Sequence, residues 1–67
     1  MRIDEEYRGY KIRYRRQHGW IANIWPPLGL FALPEVPYAT DAEGKCAIEE
    51  RTRHLIDQRI AAGAPGT

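Results

Sequence analysis

From Tyr10 to Arg15 an apolar or aromatic side chain is followed at every step by a cation: Tyr10, Lys11, Ile12, Arg13, Tyr14, Arg15. A period of two residues belongs to a half-buried β-strand, so Tyr10, Ile12 and Tyr14 share a core face while Lys11, Arg13 and Arg15 share the opposite one. The strand is predicted to run from Tyr7 to Arg16. His18-Gly19 supplies a turn, and Trp20 to Trp25 reads as a second strand, with Trp20, Ala22 and Ile24 on one face and Ile21, Asn23 and Trp25 on the other. The two strands form a hairpin whose register is open, because its loop carries no Asn-Gly or Asp-Gly pair.

Pro26-Pro27 ends the second strand, since proline donates no ladder hydrogen bond and restricts the residue before it. Leu28 to Pro37 is broken by Gly29, Pro34 and Pro37, yet Leu28, Leu30, Phe31, Leu33 and Val36 are apolar. It is expected to be a loop packed on the core, leading into a short third strand near Val36 to Ala39 at a sheet edge. Thr40-Asp41-Ala42-Glu43 then opens a helix: Thr40 and Glu43 can form a capping box, and Asp41 suits the positive end of the dipole. That helix should reach about Ala62, with Ala42, Cys46, Ile48, Thr52, Leu55, Ile56 and Ile60 as its core stripe. Glu49 with Arg53 and Glu50 with His54 are i,i+4 pairs for the exposed side, and Gly44 is a mild weakness in the first turns.

The fold class that follows is α+β: a three-stranded antiparallel sheet in β-β-β-α order, with one C-terminal helix on one face. The 67 residues make a single small domain, with 1–6 and 62–67 as flexible ends. A chain of this size buries only roughly 60% of its unfolded surface, so the core is thin. With 43% hydrophobic and 28% charged residues, it is nonetheless expected to fold.

The single cysteine, Cys46, permits no internal disulfide, and Met1 to Glu6 contains no secretory h-region. The longest apolar stretch, Leu28 to Leu33, is too short to cross a bilayer. The expected location is the cytoplasm, without a membrane partner.

Little in the chain suggests catalysis. It has no serine, and Cys46 stands eight residues from His54, about 12 Å along a helix, so a thiol–imidazole pair would need His18 from the hairpin loop. One cysteine and two distant histidines match no zinc spacing, and the scattered glycines form no phosphate-cradling loop. No catalytic residue, metal or cofactor is assigned, and the chain is not expected to be an enzyme.

The charges are unevenly placed. A net charge of +1 conceals Arg8, Lys11, Arg13, Arg15 and Arg16 without an intervening acid in the first half, and Asp41, Glu43, Glu49, Glu50 and Asp57 in the second. With Tyr10, Ile12 and Tyr14 turned to the helix, the outer face presents Arg8, Lys11, Arg13 and Arg15 beside Asn23 and Trp25. Cations for phosphates, an amide for a base edge and an indole for stacking make a candidate nucleic-acid surface. The alternative is a protein–protein contact through the same face, with Ile21 and Trp25, or through the edge strand Val36 to Ala39, either with another protein or as a homodimer that would help so thin a core.

Two resemblances span most of the chain. Tyr7-Arg8-Gly9, Gly19-Trp20-Ile21-Ala22-Asn23-Ile24 and Thr40-Asp41-Ala42-Glu43 are similar to elements of plant ethylene-response-type DNA-binding domains, which implies DNA recognition by the sheet. Gly19-Trp20-Ile21-Ala22, Pro26-Pro27-Leu28-Gly29 and Thr40-Asp41-Ala42-Glu43 resemble the N-terminal domain of HicB-type antitoxins, which implies binding of a small protein partner.

Overall fold

A computed structural model describes residues 3–63. Four strands, β1 (Glu5–Tyr7), β2 (Tyr10–Arg16), β3 (Trp20–Trp25) and β4 (Tyr38–Ala39), precede one helix, α1 (Gly44–Ala61). The strands pair antiparallel in the order β1-β2-β3-β4, a meander with the helix across one face. The α+β class and the C-terminal helix are as expected, but the sheet has four strands rather than three.

The additional strand arises because the run expected as one strand from Tyr7 is folded back on itself. Arg8 and Gly9 both have positive φ, +52° and +88°, and Tyr7 pairs with Tyr10 across them. Two consecutive positive φ values make a type I′ turn, whose twist matches that of the strands it joins. Glu5 and Glu6, placed by the sequence in a loose end, are therefore in the sheet opposite Ile12 and Lys11. Residues 1, 2 and 64–67 of the expected flexible ends lie outside the described residues.

The β2–β3 register pairs Lys11 with Trp25, Arg13 with Asn23 and Arg15 with Ile21 on one face, and Ile12 with Ile24 and Tyr14 with Ala22 on the other. The second set is buried together with Tyr10, Leu33, Ala39, Ile48 and Ile56. From the helix, Ile48, Thr52 and Ile56 are fully buried at i, i+4 and i+8. Thr52 satisfies its hydroxyl by donating to the Ile48 carbonyl at 2.7 Å. Ala47, Leu55 and Ile60 flank this stripe and are partly buried. Cys46 and Ala42, expected in it, are exposed. Cys46 precedes Ile48 by two residues, or about 200° of helical rotation, which turns it to the opposite side. Trp20 is only partly buried, at the rim of the core.

The Thr40–Glu43 box forms, but it closes a turn ahead of the helix and does not cap it, since the residue before α1 is Glu43 and its side chain makes no cap bond. The Glu43 N–H donates to Thr40 Oγ1 at 3.1 Å, and the Thr40 N–H donates to Glu43 Oε1 at 2.8 Å. The regular helix starts only at Gly44, whose φ of +84° separates that turn from the helix. Glycine there permits a bend that other residues enter at a cost. Arg53 does not pair with Glu49 as expected; it reaches Glu5 of β1, with Nη2 2.8 Å from Oε2. Nor is there a Glu50–His54 ion pair.

The segment between β3 and β4 departs most from expectation. Only Leu33 is buried in it, held by its N–H to the Ile24 carbonyl at 2.7 Å. Leu28, Leu30 and Phe31 are 101%, 87% and 82% exposed, and Val36 is also exposed. A turn closed by the Gly29 N–H on the Pro26 carbonyl, with Leu28 at φ +61°, directs this stretch away from a sheet face already covered by α1. The edge strand is limited to Tyr38–Ala39, because Pro37 has only a carbonyl to offer, which accepts from the Ala22 N–H at 3.3 Å.

Candidate nucleic-acid interface

The face of the sheet opposite α1 is built by side-chain alternation and by the β2–β3 register. Lys11, Arg13 and Arg15 stand on it at every second residue of β2, spanning about 13 Å at roughly 3.3 Å per residue. Directly across on β3 are Trp25, Asn23 and Ile21. Glu6 lies opposite Lys11 on β1, and Tyr38 lies opposite Ile21 on β4. The three cations are exposed, whereas Trp25, Asn23 and Ile21 are half-buried. Trp25 owes its partial cover to the proline segment. With Ile3, Lys11, Pro26, Pro27 and Leu28 it borders a groove of about 620 Å³.

Charge pairing divides the molecule into two sides. Arg2 lies outside the described residues, which leaves nine of the chain's ten cationic side chains. Five form ion pairs: Arg8 with Asp57, Arg16 with Asp41, Arg51 with Glu43, Arg53 with Glu5 and Arg59 with Glu35. Lys45 lies over the rings of Tyr14 and Trp20, at 5.7 and 5.9 Å from their centroids. Lys11, Arg13 and Arg15 are the described cations with neither a carboxylate within 4 Å nor an aromatic ring beneath them. All three are on the outer face.

The structure thus brings together five of the six residues singled out from sequence and separates the sixth. Arg8 occupies the β1–β2 turn and reaches α1, with Nη1 2.8 Å from Asp57 Oδ1. Tyr7 donates to the same carboxylate at 2.9 Å. The Arg8 guanidinium and the Tyr7 hydroxyl together hold the Asp57 carboxyl below its usual range. The two-residue turn that sends Arg8 to the helix side has a sequence signal: Gly9 follows it, and Arg8 has the parity of Tyr10, Ile12 and Tyr14, not that of Lys11, Arg13 and Arg15.

On the helix side, polar groups are engaged with one another. The Tyr14 hydroxyl donates to Glu5 Oε1 at 2.6 Å, and burial together with this bond pushes the Tyr14 hydroxyl well above its ordinary value. Burial pushes Glu5 upward, but the bonds from Tyr14 and Arg53 outweigh it, so the carboxyl titrates low. Five of the arginines are thus paired with carboxylates, four of them with a partner on or beside α1 or β1, whereas Lys11, Arg13 and Arg15 on the outer face have no carboxylate within 4 Å. Among the described residues no helix is long and apolar enough to cross a membrane. No family model, curated protein or solved structure matches the chain at a significant level.

Proposed function

We propose that this chain is a small nucleic-acid-binding protein whose contact surface is the outer face of the β-sheet. The observation that carries this reading is the row Lys11, Arg13 and Arg15, none with a carboxylate within 4 Å although Glu6 stands across from Lys11, while five other arginines are paired. In it the three cations meet successive phosphates, Asn23 offers an amide to a base edge or the backbone, and Trp25 packs against sugar or base. Arg8 is not a contact residue in this arrangement. The similarity of Tyr7-Arg8-Gly9 and Gly19-Trp20-Ile21-Ala22 to ethylene-response-type domains points the same way. The protein acts by binding and not by catalysis, and the lone exposed thiol of Cys46 suits a reducing cytoplasm.

A second reading rests on the exposure of Leu28, Leu30 and Phe31, side chains that favour a protein partner. Fluorescence anisotropy with labelled duplex and single-stranded oligonucleotides at low salt distinguishes the two. The wild type should bind, and replacing Lys11, Arg13 and Arg15 together by glutamine should abolish binding without altering the circular dichroism. No binding by the folded wild type would refute the nucleic-acid reading.

A further inference from the structure

We infer that the chain forms a two-fold dimer in which Leu30 and Phe31 of each copy enter a groove between helix and edge strand on the other. The groove, of about 840 Å³, runs beside the C-terminal half of α1 and the Glu35–Tyr38 segment. By area its wall is mainly apolar, with Pro37, Tyr38, Leu55 and Ala62, but its six other lining residues are polar or charged, Gln58 and the paired Glu35 and Arg59 among them. That size is within the ~300–1,000 Å³ typical of binding pockets.

The occupant is identified by what the same molecule leaves uncovered. Leu30 and Phe31 are 87% and 82% exposed, adjacent in sequence, and project from a loop that covers no core. Exposed singly such residues mean little; side by side they form a knob. Only three residues separate Phe31 from Glu35 at the groove, so the knob stands within about 14 Å of extended chain from the groove's rim. A two-fold contact requires that closeness, because one patch must present both halves of the interaction to its own copy.

The area is sufficient. Each large apolar side chain offers on the order of 150 Å², so two per copy, with the walls they cover, remove roughly 1,200 Å² from water, the lower bound of stable interfaces. A domain with so thin a core gains from such an association. The receiving groove uses none of Lys11, Arg13 or Arg15, but Leu30 borders the same groove as Lys11 and Trp25, so Phe31→Asp is the variant that separates dimerisation from nucleic-acid binding.

Sedimentation velocity of the full chain, from micromolar to submillimolar concentration, tests it. The wild type should be a dimer that dissociates on dilution. Phe31→Asp or Leu30→Asp should weaken the dimer by about a hundredfold, as expected for a central apolar anchor, with the circular dichroism unchanged. In a Cys46→Ala background, a mixture of Phe31→Cys and Gln58→Cys chains should form the mixed disulfide in preference to like pairs. A wild type monomeric throughout, a folded Phe31→Asp chain that dimerises equally well, or a dimer without the mixed cross-link would each overturn the inference.

Discussion

The Tyr14 hydroxyl donates to the Glu5 carboxylate at 2.6 Å, joining the centre of β2 to the edge strand β1. Arg53 of α1 grips the same carboxylate, so sheet edge and helix are tied at one point. Tyr14→Phe keeps the ring in the core and removes only the hydroxyl. It should cost about 1 kcal/mol in urea unfolding, the usual worth of a hydrogen bond to a partly buried group. It should also raise the Glu5 pKa measured by NMR, because one of the bonds that favour the ionised carboxyl is gone. An unchanged Glu5 titration would show that Arg53 alone sets it.

The Thr40–Glu43 box gives a pH dependence of definite sign. Bonds from Arg51 and from the Thr40 backbone hold the Glu43 carboxyl at about 2, against an ordinary 4.5. Its folded value is below its unfolded one, so the stability it contributes is complete above pH 4.5 and is lost as pH falls toward 2. Glu43→Gln should lower the urea midpoint at neutral pH and flatten its fall in that acid range. Equal acid slopes for variant and wild type would contradict the assignment.

Burial on α1 separates neighbours sharply. Ile56 is fully buried, and Ile56→Ala should cost about 2–5 kcal/mol, enough to unfold most molecules of so small a domain. Cys46→Ala on the exposed side should change stability by less than about 0.5 kcal/mol. A thiol reagent should label Cys46 in the native protein as fast as in an unstructured peptide. Slow labelling that speeds up on denaturation would place Cys46 in the core after all.

The β1–β2 turn depends on Gly9. At φ +88° a side chain is disfavoured, and a Cβ built there would be 3.1 Å from Pro27 Cγ. Gly9→Ala should therefore destabilise the protein by about 1–2 kcal/mol. A neutral effect in urea unfolding would mean that the turn relaxes to another type.

Much of this arrangement was legible in the sequence where period and burial agree. The alternation of Tyr10 to Arg15 specified both faces of β2, and Thr40 with Glu43 announced the bonded turn that leads into α1. Three features were missed, each for a physical reason. Arg8-Gly9 does break the alternation, since Tyr7 and Tyr10 are three residues apart and Arg8 has the parity of Tyr10, Ile12 and Tyr14, so one strand drawn from Tyr7 passes over the turn that Gly9 marks. Leu28, Leu30 and Phe31 look like core residues, but only Leu33 finds room under a sheet whose inner face α1 already fills. Arg53 lies four residues from Glu49, yet the antiparallel edge strand brings Glu5 to it from 48 residues away. Of the candidate site, the β2 cations and their β3 partners follow from alternation, whereas the loss of Arg8 to Asp57 depends on tertiary contact.

The most direct test of the proposed function is the salt dependence of binding to duplex DNA. If Lys11, Arg13 and Arg15 neutralise about three phosphates, the logarithm of affinity should fall with the logarithm of salt at a slope near −3, from roughly −0.9 per contact. Arg13→Gln should flatten that slope by about one unit. Arg53→Gln, on the helix side and already paired with Glu5, should leave the slope unchanged in protein whose folding is verified by circular dichroism. Equal effects of the two substitutions, or no binding at low salt, would contradict a binding face on the outer side of the sheet.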